Sequence, residues 1–243
     1  MGNQQGLSIV IGVGASNGVG GALSRRFAKA GPVLLAGRTK AKLDAMAEEI
    51  RSAGGTVQTA ICDVTDAEQV DILFKAAASQ GPISSVLYNA GNNAIIPFAD
   101  VTAEQFEQFW RVCCLGAFHV AKAATPILEA QGKGSLLFTG ASASMRGKPN
   151  FAHFASAKGA LRNLVQSLAR EFGPKGVHVG HVIIDGVVNG DIVRTRFEGY
   201  LDSMGEDGAL EPDAIAEAFW QLHAQHRSAW THEIDLRPFK ENW

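Results

Sequence analysis

The sequence predicts a doubly wound α/β fold, a single parallel β-sheet with helices on both faces, and three observations carry that prediction. Short apolar runs alternate with segments of helical periodicity along the whole 243-residue chain, the order expected when each strand is followed by a crossover helix. The strand-like runs are close to continuously apolar, as strands covered on both faces are. No composition break, internal repeat or low-complexity segment divides the chain, so residues 1–243 read as one domain of about seven strands.

SIVIGVG (8–14) reads as a buried strand, and Val19, Ala22, Leu23 and Phe27 after it share one helix face that stops at Gly31-Pro32. PVLLAG (32–37) is a second strand. Leu43, Met46, Ala47 and Ile50 mark a second helix, ended near Gly54-Gly55. TVQTAICDV (56–64) is a third strand, with Val70, Leu73, Phe74 and Ala77 on the helix that follows. SSVLYNAG (84–91) runs from a fourth strand into a loop. A long helical region covers about 103–131, and SLLFTG (135–140) is a fifth strand. Leu161, Leu164, Val165, Leu168 and Phe172 then define a helix closed by Gly173-Pro174. HVGHVII (178–184) is a sixth strand. Residues 187–210 are polar, glycine-rich and poorly patterned, a loop long enough to expect a functional lid. Ile215, Ala218, Phe219 and Leu222 give one more helix before a last strand around EIDLR.

Apolar residues make up 46% of the chain and the formal charge is −2, which gives no electrostatic case for nucleic acid or an anionic membrane as partner. Cys62, Cys113 and Cys114 form neither a disulfide framework nor a zinc-ligand spacing, so no metal is expected and a reducing compartment is the natural reading. No apolar run approaches the roughly 18 residues of a spanning helix. The start, MGNQQG, lacks the regions of a signal peptide. A soluble, cytoplasmic protein is expected.

The first strand enters GVGASNGVG, with Gly14, Gly18 and Gly20 at the strand-to-helix turn. Glycines there permit a tight turn and let the backbone approach a pyrophosphate, whose charge the helix N-terminus stabilises. The G-x-x-x-G-x-G spacing, CDV (62–64) closing strand three, NAG (89–91) closing strand four, and the pair Phe154 and Lys158 one helical turn apart resemble the short-chain dehydrogenase/reductase superfamily over nearly the whole chain. That resemblance implies a Rossmann-like fold and a nicotinamide nucleotide. It assigns the nucleotide to Gly14, Ser16, Asn17, Gly18, Val19 and Gly20 of the turn, to Asp63 and Val64 beside the adenine, and to Asn89, Ala90 and Gly91. Lys158, Gly186 and Val188 complete the set toward the nicotinamide end. At the end of strand two, Gly37 stands at the position an acidic residue takes for a ribose 2′-hydroxyl, and Arg38 follows it. A guanidinium pairs readily with a 2′-phosphate, so NADP(H) is expected over NAD(H).

Family members transfer a hydride at nicotinamide C4 while a tyrosine exchanges a proton with the substrate oxygen, aided by a lysine, a serine and an asparagine. Here Lys158 is kept, Phe154 takes the tyrosine position, Ala141 the serine position (with Ser142 and Ser144 close by), and Cys113 the asparagine position. Asp185-Gly186 replaces a usual Pro-Gly, Gly190 aligns with a threonine, and Val13 replaces the threonine or serine before the first glycine. The combination resembles a divergent subgroup with Phe for Tyr.

Two readings stay open. The first is an oxidoreductase acting on a carbonyl or alcohol of a small molecule, its proton coming from Ser142, Ser144, His153, Tyr88 or a water near Lys158. The second is a catalytically silent nucleotide-binding protein serving as sensor, scaffold or oligomer partner. His153 is read as a partly exposed helical histidine and Tyr88 as strand packing. Cys113 and Cys114 are read as buried inert thiols, and Phe98, Phe151 and Phe154 as candidates to line an apolar pocket. Arg194 and Arg196 are read as surface arginines of the lid. The aromatic end LRPFKENW (236–243) fits the homodimer or homotetramer that the resemblance implies.

Overall fold

The computed structural model describes residues 6–91 and 93–241. The segment read for a targeting signal and the last two residues of the aromatic end lie outside those described residues, apart from Gly6. The strands β1 (Leu7–Ile11), β2 (Val33–Gly37), β3 (Val57–Ile61), β4 (Ile83–Tyr88), β5 (Ser135–Thr139), β6 (His178–Ile184) and β7 (Glu233–Leu236) form one sheet in the order β3-β2-β1-β4-β5-β6-β7. Every pairing is parallel. The order reverses between β2-β1 and β4, which puts the crevice of a doubly wound sheet at the C-terminal ends of β1 and β4.

The helices α1 (Val19–Ala28), α2 (Lys40–Ser52), α3 (Ala67–Ala78), α4 (Ala103–Trp110), α5 (Gly116–Gln131) and α6 (Ala152–Phe172) follow in chain order. The short α7 (Asp191–Arg196) and α8 (Tyr200–Ser203) and the longer α9 (Pro212–His223) complete the set. One core layer packs Phe74, Val120, Leu161 and Val165 under one face of the sheet. The other packs Leu23, Phe27, Leu43, Ile215 and Phe219 under the opposite face. Each layer uses the residues whose periodicity marks the helices in the sequence.

Three features depart from the sequence reading. Residues 187–210 are not featureless loop but contain α7 and α8, too short to show an apolar face. The helical region over 103–131 is broken by a π-turn at Arg111–Leu115. That same region, Ala103–Gln131, is long and apolar enough by length and composition to cross a membrane, although polar residues interrupt every apolar run within it. Half of its most apolar window is buried, and α5 packs on β4, β5, α3 and α6.

Candidate active site

The nucleotide side begins where β1 ends. Gly12 leaves the strand at φ +88°, and a Cβ there would lie 2.4 Å from Ala90 N, so a side chain is excluded by conformation and space alike. Sequence reasoning centred the motif on Gly14, Gly18 and Gly20 and passed over Gly12, whose signal was its place directly after the apolar run. α1 starts at Gly18 with no side-chain cap, leaving the N–H groups of its first turn to an outside acceptor. A Cβ on Gly14 would meet nothing within 4 Å, so the turn borders open space. An uncapped helix start beside a bare turn fits a pyrophosphate.

Ser16 and Asn17 are braced from outside. Ser16 Oγ donates to Glu49 at 2.6 Å, while Arg25 bonds Ser16, Glu49 and Asp213. The Asn17 carbonyl accepts from Asp191 N at 2.9 Å, which docks the start of α7 on the turn. A Cβ on Gly190 would come within 2.9 Å of that carbonyl, a packing reason for glycine at this position.

Further along the crevice, Asn89 Nδ2 donates to the Gly12 carbonyl at 3.2 Å and the Thr139 hydroxyl donates to Asn89 Oδ1 at 3.0 Å. Lys158 Nζ donates to the Thr139 carbonyl at 2.8 Å. One hydrogen-bonded path therefore joins the turn, the NAG segment, β5 and Lys158.

At the end of β2, Arg38 is exposed, with no hydrogen bond or ion pair among the described residues. A Cβ at Gly37 would lie 2.8 Å from the Val13 carbonyl, so the missing carboxylate is also a matter of space. Asp63 Oδ1 accepts from Thr65 N and Oγ1, and Val64 beside it is buried. Burial, reinforced by Asp63 and Asp66, pushes the neighbouring Cys62 thiol up to about 11.

At the reaction end the three altered positions meet. Phe109, Cys113, Phe154 and Ala157 form a small apolar cluster with Ala141 and Phe151 against it. The positions that the sequence resemblance marked for oxygen chemistry therefore lie in a piece of hydrophobic core, and Phe151 and Phe154 belong to it while Phe98 is exposed. Lys158 borders the cluster at 5% exposure, its Nζ 5.8 Å from the Phe154 ring centroid. Burial holds Lys158 below the usual lysine value, with the Cys113 sulfur acting in the opposite direction.

The other proton sources are occupied. Ser144 Oγ donates to the Ala141 carbonyl at 2.7 Å, and Ser142 bonds Asp185. Asp185 is buried; burial alone would raise its pKa, but Ser142, Arg146 at 2.7 Å and Arg237 together hold it below the usual carboxylate value. Next to it, Gly186 backs onto Pro238, and Val188 bridges to Leu210. Tyr88 gives its hydroxyl to the Val112 carbonyl in the π-turn, and burial raises its pKa far above normal. His153 is not partly exposed as expected: it is fully buried, edge-on to Phe109 with centroids 4.3 Å apart, its Nε2 3.2 Å from the Ala94 carbonyl. Helix α6 packs on α4 through the face that carries it, a contact that nothing local in the sequence marks.

One group escaped the sequence reading. His181 on β6 is buried, its Nδ1 donating to Glu233 at 2.9 Å, while Arg162 holds the same carboxylate with two bonds. Burial pushes His181 down to about 4, and its Nε2 has no hydrogen-bond partner. No group of His, Cys, Asp and Glu among the described residues could hold a metal ion.

Residues 8–200 match the model of the family described as short chain dehydrogenase. An uncharacterised oxidoreductase of Staphylococcus aureus is 29% identical over 232 residues, 95% of this chain and 96% of that protein. Matches to an oxidoreductase of Sarocladium schorii and a tropinone reductase homologue of Arabidopsis thaliana span 66% and 64% of those proteins, short of two thirds. Among solved structures, a short-chain dehydrogenase from Rhodopseudomonas palustris superposes with a TM-score of 0.82 at 33% identity, over 96% of this chain and 99% of that one. A short-chain oxidoreductase of Pseudomonas aeruginosa, solved with NADPH bound and described as containing an atypical catalytic centre, gives a TM-score of 0.86 at 25% identity, covering 98% and 97% of the two chains.

Proposed function

Because the chain belongs to the short-chain dehydrogenase/reductase family, we propose that it is an NADP(H)-dependent oxidoreductase acting on a carbonyl or alcohol of a small molecule. Its active site lacks the tyrosine, serine and asparagine of the family. The observation that carries this reading is the unbroken path from Gly12 through Asn89 and Thr139 to Lys158, which keeps the lysine at the nicotinamide end of a bare phosphate turn. When bound, the nicotinamide supplies or accepts the hydride. The turn from Gly14 to Gly20 would hold the pyrophosphate, Asp63 and Val64 the adenine, and Lys158 the ribose.

Preference for NADP(H) rests on the unpaired Arg38 and on the lack of room for a carboxylate side chain at residue 37. The NADPH-bound Pseudomonas aeruginosa relative with its own atypical centre supports the same choice. Residues 187–210, docked through Asp191 on Asn17, act as the lid over the substrate. The protein works in the cytoplasm as a homodimer or homotetramer. Exposed Phe106, Trp110 and Phe118 offer an apolar contact face for that assembly.

The test is a fluorescence titration with NADPH and NADH followed by a carbonyl screen for cofactor oxidation. Tighter NADPH binding with turnover on at least one carbonyl class is the expected result. One observation favours a second reading, a nucleotide-binding protein without turnover: the apolar cluster occupies all three altered positions together. Binding without turnover across the screen selects that reading.

A further inference from the structure

The oxidoreductase reading leaves a proton unassigned. Ser142 is committed to Asp185, Ser144 to the Ala141 carbonyl, Tyr88 to the Val112 carbonyl and His153 to the Ala94 carbonyl. Lys158 differs. Its ammonium carries three hydrogens; one goes to the Thr139 carbonyl, and no acceptor among the described residues takes the other two. The nitrogen lies 3.5 Å, and Cys113 Sγ 3.8 Å, from the point a Cβ would occupy on Gly91, and Gly91 itself is exposed. Nζ therefore lies between exposed Gly91 and the cluster that Phe154, Cys113 and Ala141 build, and Phe154 carries no hydroxyl to stand between it and a substrate.

We propose that Lys158 is itself the acid–base group of this site, exchanging its proton directly with the substrate oxygen, an inference that rests on the oxidoreductase reading above. In the reductive direction a bound reduced nicotinamide would supply the hydride that becomes the new C–H bond at the carbonyl carbon. The carbonyl π-pair moves to oxygen, an Nζ–H bond breaks and the O–H bond forms. A neutral amine remains and regains its proton from water. The apolar walls favour the neutral amine, as burial does for any lysine. Cys113 from the π-turn is the titratable group that acts on it, and the ammonium in turn helps hold the buried His181 of β6 down.

The experiment compares wild-type protein with Lys158→Arg, which keeps a cation for the ribose but does not release a proton near neutral pH. Three readouts are taken: NADPH affinity by fluorescence, single-turnover cofactor oxidation with the best carbonyl of the screen, and the ¹³Cε titration of Lys158 without nucleotide. The resonance is identified by its loss in Lys158→Arg or Lys158→Met. The expected result, with NADPH raised to saturate each protein by its own titration, is a rate loss of about 10²–10⁴. The Lys158 midpoint should fall below the ordinary 10.5. A rate within tenfold of wild type, or a midpoint at or above 10.5, overturns the assignment and leaves the oxidoreductase reading standing. Absence of wild-type turnover on every carbonyl overturns both.

Discussion

Phe154 is one carbon ring with no proton to exchange, and its neighbours decide what restoring a hydroxyl there can do. The ring packs with Phe109 and Cys113, with Ala141 alongside, so a tyrosine oxygen would enter a place with no serine or asparagine to position it. Phe154→Tyr should leave carbonyl turnover within tenfold of wild type. High carbonyl reductase activity in that single variant would show that Ala141 and Cys113 are not the positions they align with. Arg38 supports a second substitution. Charge-assisted hydrogen bonds contribute about 1.5–3 kcal/mol, so Arg38→Ala should weaken NADPH binding roughly tenfold to a hundredfold and leave NADH unchanged in parallel titrations; equal losses for both would remove the 2′-phosphate role. The identities at 113, 141 and 154 were marked in the sequence through the family resemblance. The commitments of Ser142 and Tyr88 were not, because their partners Asp185 and Val112 lie tens of residues away and nothing local marks the pairing.

The π-turn at Arg111–Leu115 is the element that brings Cys113 into the apolar cluster beside Lys158. It interrupts the run from α4 to α5, places Cys113 in the cluster and turns the Val112 carbonyl toward the Tyr88 hydroxyl. Apolar periodicity through this region reads as one long helix, since an extra residue in a turn shifts the pattern by only a fraction of a period, and single π-turns leave no composition signal. The core strands and long helices were legible for the opposite reason: each buries a full face, and burial imposes periodicity. α7 and α8 bury none, so they read as loop. Tyr88→Phe keeps the ring and removes only the donor. It should cost about 1–2 kcal/mol in urea unfolding and weaken NADPH binding, since the segment that carries Cys113 beside Lys158 loses its tie to β4. Unchanged stability and affinity would show that the π-turn holds itself.

Across the whole molecule, histidines buried or half-buried along the β5-β6-β7 side of the sheet couple folding to pH. His181 sits between β6 and β7 with its folded pKa near 4, set by burial against the weaker pull of Glu233. His178 on the same strand and His223 on α9 are shifted down as well, in both cases chiefly by burial. A histidine depressed in the folded state from an ordinary 6.5 leaves stability intact above 6.5. As pH falls through that value the unfolded chain takes up a proton that the folded chain refuses. Stability then declines by up to about 1.4 kcal/mol per pH unit for each such histidine, and for His181 the decline ends near pH 4. Glu233, held at about 2 chiefly by Arg162, adds nothing in this window. Its own contribution is lost only as pH falls from its ordinary 4.5 toward 2. Urea unfolding at pH 7, 6 and 5 should therefore show a progressive loss that salt screens weakly, because the shifts come from burial rather than from exposed charge. His181→Asn should flatten that slope by about one proton's worth while leaving the contributions of His178 and His223 in place. A wild-type stability that stays level between pH 7 and 5 would mean that these rings gain access to water and protonate without unfolding the sheet edge they occupy.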